Sequence, residues 1–226
     1  MTFKHSDSLT TNKAVTQAVK EYIDEITEDL MSSFPSPQEL SPEGRREIIA
    51  RYNAVLEGNF IYWMAGTYLA AKSHEARSII RENLSEEIRD CHPGMLRRFT
   101  VAAHAVPTDS DAMAVYPRLT QVRHFIGRLS PAPILTMMAF FEGFIQRFMP
   151  YLAELAKRQG SEDMEYTDVH SSCDIGHSLE LYRALEAEMR IAADPRNPSE
   201  YLFEGVDLLR SLILNVLPVQ AYSVAA

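Results

Sequence analysis

Apolar residues along this chain recur every three to four positions, and strict alternation is scarce. That period matches one face of an α-helix rather than a strand. Val15, Val19, Tyr22, Ile26 and Leu30 form the first such stripe, which Pro35 and Pro37 close. Ser41-Pro42-Glu43 offers a capping hydroxyl, a proline for the first turn and an early acid. A long helix is therefore expected from there to about Ser73. The pattern predicts further helices over about 74–92, 94–105 and 112–129, with Pro93 forcing a break or kink right after His92. Ser130-Pro131 opens another, which runs through Glu142 to about Arg158 and ends at Gly160. The last two cover about 163–192 and 199–216, ahead of Pro218. Seven or eight helices with short loops, no internal repeat and no linker predict an all-α, single-domain helical bundle over residues 1–226.

Composition narrows the function classes. The 226 residues are 46% hydrophobic and 23% charged, enough for one sizeable core. A formal net charge of -9 argues against a nucleic-acid partner, which wants a basic stripe. No run of 18 apolar residues predicts a membrane span. The opening MTFKHSDSLTTNK lacks an apolar core for a signal peptide, so a cytoplasmic location is expected. Two cysteines, Cys91 and Cys173, give no disulfide framework. Both sit beside candidate metal ligands, which favours a reducing compartment.

The chemistry lies in acids and histidines placed among apolar residues. His170, Asp174 and His177 fall within an arc of roughly 60° on one helical face. Two imidazoles and a carboxylate suit iron or manganese; the competing reading is a solvated polar face. Glu142 stands in Met-Met-Ala-Phe-Phe-Glu-Gly-Phe-Ile, where a buried carboxylate would need a cation, a partner or a proton. Glu57, followed by glycine and aromatics, repeats that logic on a helix whose Phe60, Ile61, Met64 and Tyr68 are expected deep in the bundle. Either acid could instead face water. Glu86 and Glu87 precede His92, and five residues rotate an ideal helix by about 140°. A one-residue π-bulge would bring Glu87 and His92 together; Glu86 fits less well. Glu57, Glu87, Glu142 and Asp174 would neutralise two divalent cations, and His92, His170 and His177 would complete the shell.

This constellation resembles the haem-oxygenase-like di-iron oxidases and oxygenases over roughly Glu57 to Leu185. The matching positions are Glu57, Asn83-Leu-Ser-Glu-Glu87 with His92, Glu142-Gly143, and the His-x3-Asp-x2-His of His170, Asp174 and His177. The Glu57 segment is also similar to that of the family's alkene-forming fatty-acid decarboxylase. The Glu-to-His spacing varies among members and leaves Glu86 against Glu87 open.

The resemblance implies a haem-oxygenase-like bundle holding two Fe(II) ions. It implies activation of dioxygen, as a peroxo species on the irons, for attack at C–H or N. It places Glu57, His92 and His177 at one iron and Glu87, Glu142 and His170 at the other, with Asp174 shared or nearby. The substrate it implies is a small carboxylate, an amino acid first of all. Desaturation, C–C cleavage, or nitrile or alkene formation in specialised metabolism would follow. Phe140, Phe141, Phe144, Met137 and Met138 would suit an apolar, even aromatic, portion. Tyr62, Trp63, Tyr166 and Cys173 are candidates for the surrounding layer. An external reductant and a homodimer would both be ordinary for such a protein.

Three rivals differ in class. A metal-free thiaminase-like or quinone-cofactor-synthase-like enzyme would use Cys91 or Cys173 as nucleophile. A ferritin-like protein would carry Glu-x-x-His motifs, and none occurs. A non-catalytic interaction module would enclose no polar cluster. His5 precedes the first predicted helix, which argues against haem, and His74, His104 and His124 are expected outside the site.

Overall fold

A computed structural model describes residues 4–191 and 202–218, with side chains described from Val15 onward except at 172–175. Every regular element among them is an α-helix: α1 Lys4–Ser32, α2 Pro42–Leu56, α3 Asn59–Ala70, α4 His74–Arg89, α5 His92–Ala102, α6 Asp109–Gly127, α7 Pro131–Arg158, α8 Glu165–Ile191 and α9 Glu204–Leu214. None is long and apolar enough to cross a membrane. The all-α bundle read from the sequence is therefore the architecture observed.

Local chemistry sets the boundaries. Ser41 caps α2 through its hydroxyl, with Pro42 in the first turn. Ser73 caps α4 in the same way, and Thr108 forms a reciprocal capping box with Asp111 at the start of α6. The helix expected from Ser41 to Ser73 is two helices. It breaks at Glu57 and Gly58, where φ at Gly58 is +74°, a left-handed conformation glycine adopts without a Cβ penalty.

The junction after α4 also departs from expectation. No π-bulge joins Glu87 to His92. The helix stops at Arg89, Cys91 turns left-handed at φ +56°, and α5 starts afresh at His92. Pro93 lies in the first turn of α5, where its missing N–H costs no hydrogen bond. The break therefore falls just before His92.

α7 is the spine. Its Phe140, Phe141, Phe144 and Phe148 are essentially buried, and it packs most extensively against α8. Burying each such ring contributes about 1.5–3 kcal/mol. α8 in turn contacts α4 and α5, so α4, α5, α7 and α8 meet around one region.

Candidate metal centre

Glu87 comes from the last turn of α4, His92 from the first residue of α5, and His170 from the second turn of α8. Their ligand atoms lie within 4.8 Å of one another, and each residue is only 5% exposed. Glu87 Oε1 is 2.8 Å from His92 Nδ1. The His92 and His170 rings are 4.6 Å apart and steeply inclined. His170 Nδ1 is 2.7 Å from the Tyr166 carbonyl one turn back, so it donates there and its Nε2 is left as an acceptor. That arrangement fixes ring and tautomer, as backbone carbonyls do for metal-bound histidines.

The two imidazoles respond to burial in opposite ways. For His92, burial disfavours the cation, but the hydrogen bond and charge of Glu87 outweigh it and its pKa rises. For His170, burial pushes the pKa down to about 4, and the nearby His92 charge adds to this against the pull of the Tyr166 carbonyl. Glu87 thus favours the protonated form of His92, while burial keeps His170 neutral at neutral pH.

A second acid–imidazole pair adjoins the first. Glu86 Oε2 is 3.0 Å from His177 Nε2. His177 acts electrostatically on His170, and Glu86 on His92. Adjacent residues on a helix diverge by about 100°, so Glu87 turns to His92 while Glu86 reaches α8. His92 groups with Glu87 and His170, and His177 groups with Glu86.

Glu142 is 2% exposed and lines the same cleft as Glu87, His92 and His170. Glu57 also lines it but stands at its exposed edge, ion-paired with Arg97. The structure does not bring Glu57 into the cluster. Asp174 and Cys173 lie outside the residues whose side chains are described.

The cleft offers about 30 Å³ of free room, which suits ions and a few waters. Its apolar lining comes from Leu56, Phe60, Ile61, Pro93, Leu96 and Ile145. The expected lining of Met137, Met138, Phe140, Phe141 and Phe144 is packed into the core instead. α7 turns only Glu142 and Ile145 to the cleft, because its apolar residues face their neighbours on nearly every side. Trp63 likewise packs against Phe141 at 5.3 Å, and Tyr62 is 46% exposed. Met64 is buried as expected, whereas Tyr68 reaches the surface. His74, His104 and His124 are exposed and apart from the site.

Sequence reasoning missed Tyr52, whose hydroxyl is 2.8 Å from that of Tyr166. The available signal was a phenol on the core face of α2, since a buried hydroxyl needs a partner.

The chain matches no protein-family model, no curated protein and no solved structure.

Proposed function

We propose that this chain is a non-haem di-iron enzyme of the haem-oxygenase-like kind that uses dioxygen to oxidise a small carboxylate, an amino acid first of all. The observation that carries the reading is the convergence of Glu87, His92 and His170 in a buried cleft that Glu142 also lines. Carboxylate and imidazole donors without thiolate fit iron or manganese. Glu87, His92, His170 and Glu142 would hold one ion, and Glu86 with His177 would begin the site of a second. Two ferrous ions there would supply the electrons that turn dioxygen into an oxidant of C–H or N groups.

The chain's own residues prepare such a centre. His170 presents an unprotonated Nε2 at neutral pH, because burial holds its pKa near 4 and Tyr166 holds its Nδ1 proton. Glu87 favours the protonated form of His92, with which an arriving cation competes, so loading weakens as pH falls. The narrow apolar cleft keeps bulk water from the donors. At its edge, Glu57 and Arg97 offer an anion and a cation side by side, a match for the ammonium and carboxylate of an amino acid. Cys91, one of the two candidate nucleophiles of the metal-free rival, is exposed and does not line the cleft.

The test is anaerobic loading with ferrous iron, then dioxygen with candidate amino acids and fatty acids, followed by visible absorbance in stopped flow. A transient band that one substrate accelerates, and that His170→Ala abolishes, is the expected result. No band with less than one iron bound per chain would sink the reading.

A further inference from the structure

From Tyr166 a file of aromatic side chains leads away from the cluster. The Tyr166 ring lies 4.2 Å from His170, and Tyr166 is 2% exposed. Its hydroxyl shares a 2.8 Å hydrogen bond with that of Tyr52, itself 3% exposed. The two phenol rings are 6.3 Å apart between centroids. Tyr52 stands 5.3 Å from Phe148, and Phe148 stands 5.4 Å from Tyr151. Tyr151, half-buried, donates its hydroxyl to the Pro35 carbonyl in the segment after α1. The file thus joins His170 to the loop between α1 and α2 through three tyrosines, with no gap wider than a ring contact.

We propose that Tyr166 and Tyr52 form a redox pair that carries an oxidising hole out of the cluster, with Phe148 and Tyr151 extending the route toward the surface. This rests on reading the cluster as a centre that reduces dioxygen. Phenols are oxidised far more readily than the surrounding phenylalanines. Charge is costly in such a wall, so the electron and the proton leave together and the product is a neutral phenoxyl.

In the first step Tyr166 gives one electron and its phenolic proton to the dioxygen-derived oxidant. In the second, the Tyr52 O–H bond breaks and the Tyr166 O–H bond re-forms, as one electron and one proton cross the 2.8 Å hydrogen bond. An external one-electron reductant, acting through Tyr151 and Phe148, and a solvent proton restore Tyr52. Oxidising equivalents that meet no substrate drain outward by this route and spare His92 and His170.

The relay is tested on the metal-free full chain. A laser flash generates a ruthenium(III) polypyridyl oxidant in solution, with a cobalt(III) ammine as irreversible electron acceptor. Transient absorbance and electron paramagnetic resonance follow the phenoxyl radicals. A long-lived, buried phenoxyl is expected in the wild type. It should be absent from the Tyr52→Phe/Tyr166→Phe double variant and should form about tenfold more slowly in Tyr151→Phe. The rings remain in all these variants, and unchanged thermal melts report that the fold does too. The same phenoxyl yield and lifetime in the wild type and the double variant would overturn the relay. That failure leaves the di-iron reading standing, whereas failure of iron to bind removes that reading whatever the flash shows.

Discussion

Two buried acids in this molecule, Asp111 and Glu87, have very different company. Asp111, 2% exposed, accepts from both terminal nitrogens of Arg46 at 3.1 and 3.2 Å and from the Thr108 backbone and hydroxyl at 2.9 and 2.7 Å. Burial raises its pKa, but these donors, Arg46 foremost, pull it below the usual carboxylate range. Glu87 has one short bond, to an imidazole that stands against a second imidazole held neutral by burial. A permanently charged, forked partner completes the first acid as a structural joint between α2 and α6. The second has a titratable partner, so its pairing changes with pH. Asp111 thus has a partner whose charge is fixed, and Glu87 one whose charge changes with pH.

The largest test of this contrast removes each acid in turn. Asp111→Ala leaves Arg46 and two cap donors without their acceptor, and should cost about 3–5 kcal/mol in denaturant melts. Glu87→Gln keeps an acceptor for His92 and removes a buried charge, so the metal-free protein should change by less than about 1 kcal/mol. Equal losses would erase the distinction.

Acid should separate the two next. His170 titrates near 4 when folded and near 6.5 when unfolded, so the unfolded chain binds more protons between these values. Its contribution is complete above pH 6.5 and is lost as pH falls toward 4, by up to about 3 kcal/mol. His92 works the other way. Its folded pKa is raised, so its contribution is present at low pH and lost as pH rises through that value. His170→Gln should therefore flatten the acid limb of the stability curve of the metal-free protein. A limb of unchanged steepness would remove His170 as its origin.

A divalent transition metal at a hundredfold excess over its dissociation constant should stabilise the wild type by about 2.7 kcal/mol. The gain should vanish in Glu87→Gln and persist in an Arg46→Lys variant, whose site is intact. Thermal melts with and without the ion read both arms.

The sequence exposed most of the helices because their apolar stripes are long and periodic; α7 runs from Pro131 to Arg158 as its cap and proline foretold. The break at Glu57 and Gly58 was hidden because the stripe continues through α2 and α3, and only one glycine marks the turn. The chemistry was legible in residue types: Glu142 among phenylalanines is indeed buried, and His92, His170 and His177 do approach acids. The pairing was not legible. It depends on where α4 stops, and nothing in Asp90-Cys91-His92 announces a left-handed Cys91. Nor could local pattern foresee that Glu57 meets Arg97, forty residues on.

The smallest predicted effects lie at that turn, where Glu57 lines the cleft and also meets Arg97. Glu57 and Arg97 are both well exposed, and such ion pairs contribute less than about 1 kcal/mol. Glu57→Gln should therefore leave the melt of the metal-free protein nearly unchanged. Gly58→Ala should cost more, about 1–2 kcal/mol: no atom lies within 4 Å of the added Cβ, so the penalty is that of its φ of +74° alone. If Glu57 belongs with Glu87, its variant will weaken metal binding in a calorimetric titration while stability holds. If it belongs with the surface, the variant will take up metal as the wild type does. The titration thereby assigns the acid that stands beside Arg97.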